Sequence, residues 1–146
     1  MTRTNTIENK VVKIEVHKRI NIPKETEELI LSKLKKFENT TKFTNNDISL
    51  AVMAGQFETN TKYLSEIINS HYHVNFNTYI NKLRINYLVE KLKSDSNYMN
   101  YKISYLAEIS GFTSHSSFAT IFKSITGISP VTFIELLKEE NAKKIA

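Results

Sequence analysis

The chain has 146 residues, of which 40% are hydrophobic and 24% are charged, and its formal net charge at pH 7 is +5. Because it has no cysteine and only three glycines and two prolines, thiolate metal sites and disulfides are excluded, and long helices are favoured over a many-turned β fold. No apolar run reaches the roughly 18 residues of a membrane span and no signal peptide is recognised, so we expect a cytoplasmic location and no membrane partner.

The first predicted segment, residues 1–22, is polar except for the partly alternating run Val11–His17, and it is expected to be flexible or strand-like. Pro23 suits the first turn of a helix, because acidic residues follow it and lysines lie near the expected C-terminal end. The apolar stripe of this helix is predicted to consist of Leu29, Ile30, Leu34 and Phe37.

Two more helices are predicted before the middle of the chain. Ser49 is placed to cap a short helix that ends near Gln56, and Asn60 is placed to cap a helix over about Thr61–His71. Two helices joined by a short turn form a helix-turn-helix. Residues 23–75 are therefore predicted to be a first helix-turn-helix unit with a preceding helix.

The longest regular helical pattern runs from Phe76 to Ser94 and predicts a linker helix over residues 76–95. At about 1.5 Å per residue, this helix would be roughly 28 Å long. That length is comparable with the spacing of about 34–36 Å between successive major-groove faces of DNA.

A second helix-turn-helix unit is predicted over residues 96–141, followed by a solvated tail at 142–146. Ser114 is expected to cap its second helix, and Gly127 is expected to end that helix. The predicted helices of this unit are Ile103–Ser110, Ser116–Ile125 and Ser129–Glu140.

The two units repeat each other at an offset of 53 or 54 residues. Ala54 corresponds to Ala107 where two helices cross. The buried positions Leu64, Ile67 and Ile68 correspond to Phe118, Ile121 and Phe122. We therefore predict an all-α fold of about seven helices, with two homeodomain-like helix-turn-helix subdomains joined by a long linker helix.

The signature of the second unit resembles the DNA-binding domain of the AraC/XylS family of bacterial transcription regulators, and the resemblance covers about Ile48–Leu137. The matching residues there are Ile103, Ala107, Gly111, Phe112, Ser114, Ser116, Phe118, Phe122, Lys123, Thr126, Gly127, Ser129 and Pro130. The first unit and the linker helix match at Tyr63, Leu64, Ser65, Phe76, Tyr79, Ile80, Leu83, Arg84 and Ile85. The chain is also similar to the C-terminal module of Bacteroidetes-type sensor regulators. It departs from the family at Glu58 and His73, where glycine is frequent.

The resemblance implies sequence-specific binding of double-stranded DNA to regulate transcription, with two successive major-groove segments being read. The outward positions of the two second helices are the candidate contacts, and they are Thr61, Lys62, Ser65, Glu66, His115, Ser116 and Thr120. Lys123 is placed to contact phosphate, and Arg84 is expected to make an ion pair or a phosphate contact. RNA polymerase, a sensor domain and a second copy of the chain are candidate protein partners.

The same sequence bears on the alternatives to DNA binding. His71 and His73 lie on different faces of their helix, so no metal site is expected, and neither a catalytic constellation nor a cofactor or small-molecule site is recognised. The stripe of Phe112, Phe118, Phe122 and Phe133 is interpreted as core rather than as a base-stacking platform. The remaining alternative is a protein-interaction or output module of a larger sensor with only weak DNA contact, which the acidic Glu66 motivates.

Overall fold

The computed structural model describes residues 20–145, and every regular element in that range is a helix. The seven α-helices of this range are α1 Lys24–Glu38, α2 Leu50–Gln56, α3 Thr61–Tyr72, α4 Phe76–Ser94, α5 Ile103–Ile109, α6 His115–Thr126 and α7 Pro130–Ile145. Short 3-10 helices, Lys42–Thr44 and Ser96–Asn100, lie in the connections after α1 and α4. The all-α prediction is confirmed for these residues. The predicted strand Val11–His17 lies outside them.

The described residues form two compact units. The first combines residues 20–36 with Ser49–Phe76, and the second combines Phe37–Ile48 with residues 77–145. Each unit contains one helix-turn-helix, α2 with α3 in the first and α5 with α6 in the second, and the two helices of each pair pack against each other. The segment that follows α1 in the chain therefore belongs to the second unit, as does almost all of α4.

In the first unit, α1 supports the helix-turn-helix through apolar packing and two polar contacts. The buried side chains are Ile30, Leu34, Met53, Ala54, Leu64, Ile67 and Ile68. Lys33 Nζ donates a hydrogen bond of 2.8 Å to the carbonyl oxygen of Phe57, in the turn before α3. At the other end of α3, His71 Nε2 lies 2.8 Å from Glu27 Oε1. The turn before α3 and the last turn of α3 are thus both connected to α1.

In the second unit, a continuous hydrophobic core joins α4 to α7. Its buried members are Ile85, Leu88, Leu92, Met99, Leu106, Ala107, Phe112, Phe118, Phe122 and Ile134. Ring contacts run from Phe112 to Phe118 at 5.3 Å, from Phe118 to Phe122 at 5.8 Å and from Phe122 to Phe133 at 5.4 Å between centroids. The interpretation of these aromatic residues as core is confirmed.

Two details differ from the stated predictions, and a third is not evident from the sequence pattern. Leu29 was predicted to be in the apolar stripe of α1, but its side chain is 55% exposed, because the buried face of the helix is centred on Ile30, Leu34 and Phe37. Helix α7 continues to Ile145 rather than ending near Glu140, since no glycine or proline follows to stop it. Phe43 is buried although its loop is otherwise polar.

The turns of the two helix-turn-helix units have the same backbone design. A residue with positive φ follows the first helix in each, Glu58 at 58° and Gly111 at 103°. The next amide then bonds back to a carbonyl of the first helix, from Thr59 to Ala54 O at 2.9 Å and from Phe112 to Ala107 O at 3.0 Å. Glycine adopts positive φ at little cost, whereas glutamate does not.

Replacing Glu58 by glycine is expected to raise the free energy of unfolding by about 0.5–1 kcal/mol. A left-handed backbone costs a residue with a side chain about 1–2 kcal/mol, and part of this gain is offset by the greater chain entropy of glycine. Thermal and urea unfolding followed by circular dichroism would measure the change. Glu58→Gln is the control, since it removes the charge but keeps the side chain. If Glu58→Gln stabilises the chain equally, charge rather than backbone strain is responsible.

Candidate DNA-binding surface

Helix α3 presents a polar face opposite its buried face. Thr61 and Lys62 are exposed in its first turn, and Ser65 and Glu66 are half-buried one turn later. Because positions i, i+1, i+4 and i+5 of a helix lie on one side, the structure brings these four predicted residues together. Leu64, Ile67 and Ile68 fill the opposite side.

Helix α6 has the same arrangement in the second unit. His115 and Ser116 are exposed at its start, and Thr120 and Lys123 are exposed on the same side in later turns. The half-buried Ala119 lies in the middle of this face. Since alanine is short, the backbone of α6 is able to approach a binding partner closely here.

The first turn of each helix is fixed by a side-chain cap. Asn60 Oδ1 accepts a hydrogen bond of 2.9 Å from the amide of Tyr63, and Ser114 Oγ accepts one of 3.3 Å from the amide of Ser117. Such caps satisfy amides that have no partner within the helix. They keep the first turn, where Lys62 and His115 lie, ordered before any ligand arrives.

The hydroxyl groups on α6 are already engaged locally. Thr120 Oγ1 donates to the carbonyl oxygen of Ser116 at 2.9 Å, and the hydroxyls of Ser114 and Ser116 are 3.1 Å apart. Because the proton of Thr120 is used in this bond, its oxygen is left as an acceptor towards the outside. An acceptor suits an amino group of adenine or cytosine in the major groove.

The C-terminal ends of both helices also correspond. His73 at φ 58° and Gly127 at φ 92° end α3 and α6, and their amides bond to the carbonyls of Asn69 at 3.0 Å and Lys123 at 2.8 Å. Asn69 therefore occupies on α3 the position of Lys123 on α6. The sequence interpretation did not select this residue, although the 54-residue offset identifies it and an amide is able to pair with adenine.

Arg84 has a different environment from the one expected. Its side chain is only 9% exposed, and it donates from Nε to Phe43 O at 2.6 Å and from Nη2 to Asn45 O at 2.9 Å. Its partners are thus backbone carbonyls rather than a carboxylate or a phosphate. Burial lowers the pKa of this guanidinium from its ordinary value.

Residues 20–145 also bear on metal binding and membrane insertion. No group of three or more histidine, aspartate or glutamate side chains in this range is placed to hold a metal ion. No single helix in it is both long and apolar enough to cross a membrane, although α6 and α7 reach that length together as a pair bent by 56°.

The fold and the two polar helix faces define a tandem helix-turn-helix protein. A family model described as a helix-turn-helix domain matches residues 53–135, which is more than half of the chain. The chain belongs to this AraC-type helix-turn-helix family, whose members are DNA-binding transcription regulators. Family and fold are those of regulators rather than of enzymes.

Individual relatives agree with this assignment. The TCP pilus virulence regulatory protein of Vibrio cholerae is 33% identical over 87 residues, which are 60% of this chain and 30% of that protein. The crystal structure of ToxT from Vibrio cholerae O395 is 29% identical with a TM-score of 0.55, covering 84% of this chain and 45% of that one. The C-terminal domain of AraT, a response regulator from Geobacillus stearothermophilus, shares the fold at 24% identity and a TM-score of 0.63, with 73% and 84% covered.

Proposed function

We propose that the chain is a sequence-specific regulator that binds double-stranded DNA with both of its helix-turn-helix units. Helix α3 reads one major-groove segment through Thr61, Lys62, Ser65 and Glu66. Helix α6 reads the next through His115, Ser116 and Thr120, with Lys123 on phosphate. Phosphate contacts supply much of the affinity, so binding is expected to weaken steeply with salt.

One observation carries this proposal. The two units present equivalent helices, each with a side-chain cap at its start, a left-handed residue at its end, a buried inner face and a polar outer face. In a helix-turn-helix, the second helix enters the major groove and its N-terminal residues contact base edges. The candidate residues Lys62 and His115 lie in those first turns.

Selection from a random duplex library at near-physiological salt tests the proposal. The expected product is a motif with two blocks whose centres are about 10 base pairs apart, one for each recognition helix. Fluorescence anisotropy with the enriched site then gives the affinity and its salt dependence. Failure to enrich any sequence, with only weak salt-sensitive binding, would contradict the proposal.

Replacing Lys62 by alanine is expected to weaken binding to the selected site by roughly 1–3 kcal/mol and to relax the preference at one or two bases of one block. Lys138→Ala is the matched control, because it removes the same charge from an exposed position of α7. Anisotropy with the selected site and single-base variants measures both effects. An equal loss on all sequences would show that Lys62 contacts only phosphate.

Protein docking is a second candidate function, and exposed apolar side chains in the second unit favour it. Tyr101 and Tyr105 are exposed and in T-shaped contact at 5.2 Å, and Leu136, 49% exposed, borders a groove of about 380 Å³. RNA polymerase, a sensor domain or a second copy of the chain are the candidate occupants. Loss of all DNA binding at modest salt, with a partner still co-purifying, would favour this function.

A further inference from the structure

The segment Phe37–Ile48 is fixed to α4 at three places. Tyr79 Oη donates to Glu38 Oε2 at 2.6 Å, and the ring of Phe43 makes a T-shaped contact with that of Tyr87 at 6.0 Å. Between these contacts, Arg84 donates to two carbonyls of the segment. The segment therefore has a defined position in the second unit although it is mostly without regular structure.

Arg84 also contacts the turn that precedes α6. Its Cζ atom lies 5.6 Å from the ring centroid of Phe112, in cation–π geometry. A Cβ atom added to Gly111 would lie 2.7 Å from Arg84 Nε and 2.8 Å from Thr44 O. The turn, the guanidinium and the segment are consequently in direct contact, with no room for even a methyl group between them.

The contact continues into the recognition helix. Phe112 packs against Phe118 of α6, which is fully buried one turn after His115 and Ser116. A buried cation held by two carbonyls and a ring has few alternative positions, because leaving any of these partners exposes its charge to an apolar environment. The position of the guanidinium is thus linked to that of α6 through Phe112.

We propose that Arg84 is a positioning residue for DNA reading, which sets the placement of α6 by connecting the turn Gly111–Phe112 to the segment Phe37–Ile48. This inference rests on the proposed function, since it requires that α6 reads DNA. Under this proposal, the segment Phe37–Ile48 affects the DNA sequence specificity of the second unit, although the segment precedes the residues matched by the family model. Arg84 itself does not contact DNA.

The test compares Arg84→Met with Arg84→Lys on sites in which one block at a time is mutated. Methionine keeps an unbranched apolar stem as far as the position of Nε but removes both hydrogen bonds, and it leaves no unpaired buried charge. We expect discrimination in the block read by α6 to fall on the order of tenfold while discrimination in the other block is retained. Lysine keeps the charge but not the two-point geometry, so an intermediate loss is expected.

The control is Lys82→Met, an exposed residue of the same helix, which should leave both blocks unchanged. All variants are compared at a temperature where circular dichroism shows them folded. If Arg84→Met does not fold, Phe112→Leu removes the ring contact with the guanidinium and should affect the same block. Equal changes in both blocks, or none, in folded variants would overturn the positioning role. Absence of specific binding by the wild-type chain would instead overturn the proposed function.

Discussion

Replacing Gly111 by alanine is expected to lower the free energy of unfolding by about 3 kcal/mol or more, a large share of the stability of a domain of this size. The left-handed backbone at φ 103° costs an alanine about 1–2 kcal/mol. The new methyl group would also collide with Arg84 Nε and the backbone oxygen of Thr44. Displacing Arg84 would leave a buried cation without its partners, which costs about 3–5 kcal/mol when complete.

The other two glycines provide a graded control for this prediction. Gly127 has φ 92° but open space around it, so Gly127→Ala should cost only about 1–2 kcal/mol. Gly55 lies in α2 with nothing within 4 Å of an added Cβ, so Gly55→Ala should stabilise by up to about 1 kcal/mol. Urea unfolding followed by circular dichroism ranks the three alanine variants by their free energy of unfolding. A cost at Gly111 no larger than at Gly127 would show that the close contact with Arg84 is relieved by small shifts.

Local features of the fold were predictable from the sequence because their causes are local. Ser49, Asn60 and Ser114 each cap a helix through an amide three residues away, and Gly127 ends α6 as expected. The outward faces of α3 and α6 followed from helical periodicity once Leu64 and its neighbours were recognised as core. The DNA contacts proposed on those faces stay predictions.

The role of Arg84 was not predictable from periodicity, because its partners are 41 and 39 residues away along the chain. They are main-chain carbonyls, which any residue type supplies, so no side-chain pattern indicates them. The burial of Phe43 has the same origin, since it depends on contact with Tyr87 of α4. For the candidate site, the helical period identifies exposed positions, but it does not show that the Thr120 hydroxyl already donates a hydrogen bond to Ser116 O.

Insertion of five base pairs between the two blocks of the selected site is expected to lower the affinity by about 10²–10⁴-fold, to the level of a single block. Binding of the second unit becomes intramolecular once the first is bound, and this advantage is lost when geometry prevents both from binding. Half a turn of DNA places the second block on the opposite side of the duplex.

The spacing is best varied in the DNA and not in the protein. Leu88, in the middle of α4, is 1% exposed and belongs to the core of the second unit. A proline there would disrupt packing as well as the helix, and lost binding would not report on spacing. Anisotropy on duplexes lengthened by one to ten base pairs isolates the geometric effect, and a duplex with one scrambled block gives the single-block reference. If the affinity stays constant across these duplexes, either only one unit binds DNA or the two units adjust to each spacing of the blocks.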